Sequence, residues 1–186
     1  MLALIILAQL GTPAAQDSRI FGGVGAGPSW SNIGHGAGTG IHVEGYVGVA
    51  WENAGVTGGL DAASFEYDLD FLGEIVVADI TLSTVEARCW WLPQFSPTFG
   101  VALYSGLALT NAQISLGPLS DDDGSIGVVA GLDLSARLGG GWTILTLGAA
   151  LRTYGVHAKG MAEDDEVTTV ATTIGLRWNR PEDVDP

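Results

Sequence analysis

The sequence predicts an all-β protein, an eight-stranded antiparallel up-and-down transmembrane β-barrel. Three observations lead to this prediction: an apolar but weakly charged composition, long segments of alternating hydrophobicity, and aromatic residues at one end of those segments. Hydrophobic residues make up 47% of the 186 residues and charged residues only 15%, against about 25% charged residues in ordinary soluble domains. This much apolar surface argues against disorder, because it must be buried or must face lipid.

The charge balance excludes several classes of partner. The chain has 21 acidic and 7 basic residues, which gives a net charge of −14. Nucleic-acid binding requires clustered Lys and Arg, and docking on anionic headgroups requires a basic patch; the chain has neither. The single cysteine, Cys89, excludes a disulfide scaffold and a Cys-based zinc cage, and we expect it to pack inertly. We expect no cofactor.

The N-terminal residues 1–15 are typical of a signal peptide. A short apolar run is followed by a Gly/Pro break and small residues before Gln16. A basic n-region is absent, which is consistent with a start that lies upstream, and a buried N-terminal helix is the alternative. No later stretch reaches the 18 or so uncharged apolar residues of a membrane helix. Any membrane crossing is therefore expected to use strands.

Eight segments of the remaining chain are predicted as strands, because their hydrophobicity alternates with a period of two. The clearest, residues 126–138, alternates over thirteen residues, which exceeds the usual strand length of about 5–6 and suits a tilted membrane strand of about 9–11. The first segment is Gly-rich and the weakest of the eight. In order, the segments are residues 19–30, 41–52, 64–71, 81–92, 99–111, 126–138, 142–156 and 167–178.

The connections predict which end of the barrel faces the periplasm. Residues 139–141 and 92–99 read as short turns, whereas residues 28–40, the stretch with Asp121 to Gly124, and the stretch with Glu163 to Glu166 read as long polar loops. Short turns at one end and long loops at the other are typical of outer-membrane barrels. Residues 53–62 break this rule, so either the third strand begins earlier through a bulge or its register is misassigned.

Aromatic residues are predicted to form a girdle at the periplasmic membrane interface. With the N-terminus on the periplasmic side, five of them fall at the periplasmic ends of their strands, where lipid-facing barrels carry aromatic belts. The alternative is that they flank ordinary core strands. The predicted girdle is Trp51, Trp91, Phe99, Trp142 and Trp178.

The order of these motifs resembles the OmpA-like eight-stranded outer-membrane β-barrel family. The resemblance rests on the pattern of GIHVEGYVGVAW, TLSTVEARCWWLP, TFGVALYSGLAL, GSIGVVAGLDLSARLGGGW and TIGLRW, and it covers roughly residues 17–178. It implies a barrel domain over residues 16–178, followed by an acidic C-terminal tail over 179–186. It also implies recognition by the barrel insertion machinery, which reads a terminal aromatic residue. Here the tail follows Trp178, which is a departure from that pattern.

Charged residues on the inward faces are predicted to plug the barrel. An eight-stranded barrel is only wide enough for side chains to fill it, and charges there are costly unless paired. The resemblance implies the same kind of salt-bridge network; a proton or ion path through it is the alternative. The predicted lumen network is Glu44, Glu66, Asp68, Asp70, Glu86, Arg88, Asp133, Arg137, Arg152 and Arg177.

The sequence offers weaker support for other functions. The acidic stretches could ligate Ca²⁺ or Mg²⁺, but the EF-hand spacing is absent and solvated loops are favoured, so no metal site is predicted. His35, His42 and His157 are scattered, and no local His/Ser signature supports a lipid-A-modifying barrel enzyme. A soluble exported lipocalin-like barrel that binds a small apolar ligand would point its apolar faces inward, but the polar faces carry few charges.

The sequence therefore predicts an outer-membrane protein of a Gram-negative-type cell envelope. We expect a structural or surface-exposed role, a plugged lumen without an open pore, and no enzymatic activity. The expected partners are outer-membrane lipid, the barrel insertion machinery and an extracellular loop partner of unknown kind, but no nucleic acid.

Overall fold

The computed structural model is a closed barrel of eight antiparallel strands, in which each strand pairs with its neighbours in sequence and β1 pairs with β8. The structure describes residues 18–33, 36–51, 53–71, 74–92, 99–116, 119–138, 143–156 and 165–179. This confirms the predicted all-β, eight-stranded antiparallel fold. The strands are β1 Ser18–Ile33, β2 Gly36–Trp51, β3 Ala54–Phe71, β4 Glu74–Trp91, β5 Phe99–Leu116, β6 Leu119–Arg137, β7 Thr143–Val156 and β8 Asp165–Asn179.

Within the described ranges, the chain contains no helix of the length and apolarity that a membrane crossing requires.

The two ends of the barrel are distinguished by the chain termini. We call the end where β1 begins and β8 ends the inner end, and the opposite end the outer end. Most strands continue further towards the outer end than the alternation predicts; β4, for example, begins at Glu74, whereas its predicted segment begins at residue 81. The outer part of the barrel is therefore built from strands where the sequence suggested loops.

The third strand begins at Ala54, directly after a connection of residues 52–53. Its pairing with β2 runs without interruption from Trp51↔Ala54 to Gly38↔Tyr67, so no bulge is present. Residues 54–62 are thus the inner half of β3, which resolves the difficulty met in the sequence. The alternation was hard to see there because small residues dominate this half of the strand.

The expectation of long loops at one end is wrong for most of them. Residues 28–33 and 36–40 belong to β1 and β2, and the stretch from Asp121 to Gly124 belongs to β6. Three connections at the outer end span only residues 34–35, 72–73 and 117–118. Polar sequence indicated loops, but here it belongs to strands whose outward face is polar. Residues 163–164 lie outside the described residues.

The inner and middle parts of the barrel turn apolar side chains outward. On every described strand, alternate residues point to opposite faces, and here the exposed set is the apolar one. Many large aliphatic side chains on this surface are more than half exposed, whereas in water-soluble proteins such side chains are the ones most often buried. Examples are Val47, Leu107, Leu109, Val128, Leu147 and Ile174.

The outer part of the barrel has the opposite arrangement. On β3, the side chains of Phe65 and Tyr67 are buried in the lumen, whereas Ser64 and Glu66 are exposed on the outside. The predicted lumen position of Glu66 is therefore wrong. The prediction assumed that the apolar face always points away from the lumen, whereas this part of β3 buries its apolar face inside.

Three layers of side chains point into the lumen, and the inward residues of β4 belong to all three. From the outer end, Ile80 and Leu82 belong to an outer apolar cluster, Glu86 and Arg88 to a charged layer, and Trp90 to an inner aromatic cluster. The outer apolar cluster consists of Ala63, Phe65, Tyr67, Ala78, Ile80, Leu82, Ala112, Tyr154 and Val167. The inner aromatic cluster consists of Phe21, Tyr46, Ala50, Trp90, Ala102, Tyr104, Val129 and Ala150.

Glycine makes room for the large rings of these layers. The Tyr67 ring lies across Gly38 on the neighbouring strand, and a Cβ atom at Gly38 would lie 2.6 Å from the ring carbons. Any larger residue at Gly38 would therefore require the Tyr67 ring to shift. This close approach explains part of the unusual glycine content, 28 residues in the chain.

Candidate functional site: the charged layer of the lumen

Four strands bring the charged layer together. β2 supplies Glu44, β3 supplies Asp61, β4 supplies Glu86 and Arg88, and β7 supplies Arg152. Glu86 and Arg88 are two residues apart, so alternation along β4 points both into the lumen. We call these five residues, together with His42 of β2, the ion-pair cluster.

The guanidinium groups of the ion-pair cluster each bridge two or more carboxylates. Arg88 donates from Nε to Glu86 Oε2 at 2.5 Å and from Nη2 to Glu44 Oε2 at 2.6 Å. Arg152 donates from Nε to Glu86 Oε1 at 2.7 Å and from Nη2 to Asp61 Oδ2 at 3.0 Å. Glu86 therefore joins the two arginines with one oxygen each. Charge-assisted bonds of this length are the strong class of hydrogen bond.

The cluster is shielded from water, which raises the cost of breaking it. The side chains of Arg88 and Glu86 are 1% and 0% exposed, and Arg152 and Asp61 are 4% and 3% exposed. Removing one member of a buried ion pair leaves its partner charged and unpaired, which costs about 3–5 kcal/mol. Three carboxylates here face two guanidinium groups and the His42 imidazole.

His42 extends the cluster towards β8. Its Nδ1 lies 3.1 Å from Asp61 Oδ2, and its Nε2 lies 3.1 Å from Thr173 Oγ1 and 3.3 Å from the Thr172 carbonyl oxygen. Hydroxyl, imidazole and carboxylate thus follow one another as they do in hydrolases that use a catalytic triad. Here, however, all three side chains are buried, with Thr173 and His42 at 6% and 1% exposure.

Aromatic rings close the inner side of the charged layer. The Arg88 guanidinium carbon lies 4.8 Å from the Tyr104 ring centroid and 5.6 Å from that of Tyr46, within the range of cation–π attraction. The ring centroids of Trp90 and Tyr104 are 4.4 Å apart, with the ring planes tilted by 37°. Trp90 Nε1 donates to Thr57 Oγ1 at 2.8 Å. Arg88 is thereby held between carboxylates on one side and rings on the other.

The outer side of the layer is closed by uncharged groups. Phe65 and Tyr67 pack in the outer apolar cluster with a ring-centroid distance of 6.3 Å. A phenol is uncharged in the physiological range, so the buried Tyr67 ring adds no charge to this side of the layer.

Three other predicted lumen residues occupy different places. Asp133 and Arg177 are buried and face the lumen, but among the described residues no ion pair within 4 Å joins either to a partner. Arg137 is exposed at the inner end of β6, so its predicted membership of the lumen network is wrong. The alternation would point it inward, but β6 ends there and the side chain reaches solvent beyond the wall.

Four more residues complete the comparison with the predicted lumen network. The side chains of Asp68 and Asp70 lie outside the part of the structure that is described. Asp61 and His42 are in the ion-pair cluster although neither was predicted there. Asp61 was missed because residues 53–62 looked like a connection. It shares the inward face of Ala63 and Phe65, which is the face that the alternation had assigned to the outside.

Four of the five residues of the predicted aromatic girdle are described, and all four lie at the inner end of the barrel. Trp91, Phe99 and Trp178 are exposed at the inner end, with 55%, 63% and 42% of their surface accessible, and Trp51 is half-buried beside them. Trp142 lies outside the described residues. Trp30, which the sequence did not single out, is exposed in the outer half of β1.

The described residues contain no group of three His, Cys, Asp or Glu side chains that could hold a metal ion. Residues 163–164 of the acidic stretch near β8 are outside that set. Cys89 is half-buried on the outward face of β4, between the inner-end residues Ala87 and Trp91.

Comparison with known proteins identifies the fold. The chain is similar to the crystal structure of Neisserial surface protein A (NspA), at 15% identity and a TM-score of 0.66, over 86% of this chain and 96% of that one. It is also similar to Ail, the attachment invasion locus protein of Yersinia pestis, solved with the heparin analogue sucrose octasulfate, at 12% identity and a TM-score of 0.51, over 87% and 99%. Both are eight-stranded outer-membrane β-barrels.

No protein-family model matches the chain, and no curated protein matches it. The structural similarity therefore confirms the predicted OmpA-like barrel architecture at the level of the fold.

Proposed function

We propose that this protein is an outer-membrane β-barrel with a structural or surface-exposed role, whose lumen is closed by the ion-pair cluster and its two flanking clusters. The observation that carries the proposal is the combination of a buried charged interior with an exposed aliphatic exterior. A water-soluble protein of this size does not leave so many aliphatic side chains on its surface while burying guanidinium and carboxylate groups.

The exterior supports a lipid environment. Outer-membrane barrels carry an apolar band about 25 Å tall with aromatic girdles at its edges. The exposed aliphatic residues of the middle of the barrel match such a band, and Trp91, Phe99 and Trp178 lie at its inner edge. Similarity to NspA and Ail in fold supports the same location in the cell envelope.

The interior supports a closed lumen. An eight-stranded barrel leaves no more room than its side chains fill. Charged side chains of the middle layer are tied to each other by four strong hydrogen bonds, and rings or aliphatic groups pack on either side. An ion would have to displace all three layers to cross.

Two alternatives receive less support. A soluble lipocalin-like barrel would bury its apolar side chains around a ligand cavity, but the middle of this lumen is charged and filled. An enzyme would need its reactive groups within reach of substrate. Among the described residues, the hydrogen-bonded chain of Thr173, His42 and Asp61 is the one arrangement that favours catalysis. Its burial argues for a structural role.

Biogenesis is expected to follow the route of other outer-membrane barrels. Residues 1–15 would direct export, and β8, with exposed Trp178 near its end, would present the signal to the barrel insertion machinery. Outer-membrane lipid would cover the aliphatic band.

The outer surface favours a different class of partner from the ligand in the Ail structure. That ligand is a highly sulfated sugar and demands positive charge. The described outer part of this barrel instead exposes Glu66, Asp79 and Asp122. We propose that its surface role does not involve sulfated glycans.

Heat-modifiability tests the membrane-barrel part of this proposal. The chain would be expressed in a Gram-negative host, and outer membranes would be run on SDS gels with and without boiling. We expect the protein in the membrane fraction, with different migration in the two lanes. A periplasmic protein without a shift would overturn the proposal and favour the soluble ligand-binding barrel.

Conductance tests the closed lumen. The purified barrel would be added to planar lipid bilayers, with a large open porin as the positive control. We expect no steady single-channel steps from this protein. A reproducible conductance that changes in Arg152→Ala but not in Arg137→Ala would show instead that ions pass through the ion-pair cluster.

A further inference from the structure

The seam that closes the barrel, between β1 and β8, skips two positions. Along it, β1 is paired at residues 21–26 and 29–33 in one register, whereas residues 27–28 have no ladder partner on β8. The register sets Pro28 directly opposite Thr172 of β8. A proline has no N–H group and cannot donate to the facing strand, so the interruption follows from the sequence.

The interruption removes the ladder bond of the Thr172 carbonyl group. In an antiparallel ladder, pairs that exchange both hydrogen bonds alternate with pairs that exchange none. The carbonyl oxygens of Leu176 and Thr172 both lie against glycines of β1. Thr172 therefore points its oxygen at Pro28, which has no hydrogen to donate. With lipid outside, as proposed above, water cannot replace that donor from the exterior.

His42 of β2 reaches this carbonyl group across β1. His42 is paired with Gly27, and its Nε2 lies 3.3 Å from the Thr172 oxygen. Glycine is required at position 27, because a Cβ atom there would collide with the same oxygen. The imidazole therefore lies where it can supply the donor that Pro28 lacks and join β8 to β2 over the skipped pair.

Both ring nitrogens of His42 face acceptors. Nδ1 lies 3.1 Å from Asp61 Oδ2, and Nε2 faces the Thr172 oxygen. A neutral imidazole has one N–H and serves one of these acceptors, whereas an imidazolium serves both. The Thr173 hydroxyl, 3.1 Å from Nε2, can donate or accept and fits either state. Imidazolium also balances the ion-pair cluster, where three carboxylates face two guanidinium groups.

The groups that face His42 come from every strand around it. Asp61 of β3 is in direct contact, whereas Thr173 of β8 and Gly27 of β1 add no titratable group. The other charged groups near it are the remaining members of the ion-pair cluster, namely Glu44, Glu86, Arg88 and Arg152. Among these residue types, histidine is the one whose charge ordinarily changes between about pH 5 and 8.

We propose that the protonated His42 side chain is a latch on the seam between β1 and β8, with Nε2–H in place of the backbone donor that Pro28 lacks. When the proton is lost, Asp61 or the Thr172 oxygen loses its donor, and the seam opens more readily at residues 27–28. The seam is therefore closed while His42 is protonated and loosens as the pH rises through its titration. This sets a condition for lateral opening towards lipid, which goes beyond the closed lumen.

The test uses the full chain, uniformly labelled with 15N and folded in lipid nanodiscs. Imidazole 15N shifts report directly whether both ring nitrogens of His42 carry hydrogen, and the signals absent from His42→Leu identify that ring. Hydrogen exchange, corrected for the intrinsic effect of pH, measures opening at the amides of Ala26 and Trp30 beside the skipped pair. The amides of the β3–β4 seam, which is paired without interruption, are the internal control.

At about pH 6, we expect a doubly protonated His42 ring and slow exchange at Ala26 and Trp30. Deprotonation of the ring should speed that exchange by about tenfold, which corresponds to about 1.4 kcal/mol, and leave the β3–β4 seam unchanged. His42→Leu should cause the same increase at every pH. Pro28→Ala, which restores the missing N–H, should remove both the pH dependence and the effect of His42→Leu.

Three results would overturn the latch: a singly protonated His42 ring at about pH 6, seam exchange in His42→Leu equal to that of the parent, or a pH dependence that persists in Pro28→Ala. Equal acceleration in both seams would also overturn it, because the whole barrel would then loosen. If His42→Leu fails the heat-modifiability test, ring protonation in the parent and the exchange of Pro28→Ala decide the matter. A His42-dependent seam in a protein recovered from the soluble periplasm would support the latch and overturn the proposed function.

Discussion

The middle and the outer parts of this barrel use the same strands in opposite ways. On β5, the outward residues Leu107 and Leu109 are apolar, whereas Asn111 and Gln113, next in the same alternation, are polar. Inside the barrel the order is reversed, from the charged layer in the middle to the outer apolar cluster. The alternation never changes phase; under the proposed function, the surroundings of the outward face change from lipid to water.

This comparison teaches why each part is stable. With lipid around the middle part, as proposed, the exterior there gains nothing from polarity, and the charged side chains lie in the lumen as ion pairs. In water, the exterior is polar and the lumen contains an ordinary apolar core, which gains free energy by burial.

The largest effect is expected from opening the ion-pair cluster. Arg152→Ala would leave Asp61 and Glu86 buried without that guanidinium, so the free energy of unfolding should fall by about 3–5 kcal/mol. Urea unfolding in detergent, followed by tryptophan fluorescence, measures this. Arg137→Ala is the matched control, because its exposed side chain should change stability by only about 0.5 kcal/mol. Equal effects of the two substitutions would contradict a structural ion-pair cluster.

The next effect concerns the outer apolar cluster. Phe65 is 1% exposed there, so Phe65→Ala should lower the free energy of unfolding by about 3 kcal/mol through lost burial and a residual cavity. The same urea experiment measures it. Phe99→Ala, at a position 63% exposed in the inner-end girdle, should cost about 1 kcal/mol or less. An unchanged free energy of unfolding in Phe65→Ala would show that the outer apolar cluster does not stabilise the barrel.

A third substitution pair compares the two exteriors on one strand. Leu107→Lys places a charge in the lipid-facing band and should destabilise the barrel by about 2–4 kcal/mol. Gln113→Lys, on the same face in the outer part, should be nearly neutral. Unfolding of both variants in phospholipid bilayers, instead of detergent, gives the comparison. Equal costs would mean that both positions face the same solvent.

The smallest effect should come from the paired carboxylates of the outer surface. Glu66 and Asp79 lie directly opposite each other on adjacent strands, and like charges so placed are destabilising. Asp79→Asn should stabilise the barrel by about 0.2–1 kcal/mol at low salt, and less at high salt. In a Glu66→Gln background the gain should vanish. A gain that persists there would have another origin than repulsion.

The sequence alone predicts the inner and middle parts of this barrel well and the outer part poorly. Long alternation over residues 99–111 and 126–138 correctly identifies β5 and β6 and the faces of their inner and middle parts, because an apolar exterior and a polar interior leave a strong pattern. Glu86, Arg88 and Arg152 are correctly placed in the lumen for the same reason.

The errors have a common physical cause. Glu66 was placed in the lumen and Asp121 in a loop because one solvent was assumed along the whole outer surface. Asp61 was overlooked because the glycines and alanines around it carry little hydrophobic signal. Which arginine pairs with which carboxylate depends on barrel closure. Closure places β7 across the lumen from β2, β3 and β4, and the local sequence carries no signal for this arrangement.

A spin-label accessibility scan along β5 tests the change of exterior most directly. Cys89 would be replaced by Ala, and single labels would be placed at positions 103, 105, 107, 109, 111 and 113 of the barrel in lipid bilayers. The account predicts high oxygen and low nickel-chelate accessibility up to Leu109, and the reverse at Asn111 and Gln113. Nickel-chelate accessibility that is high at all six positions would contradict it, because the exterior would then face water along its whole length.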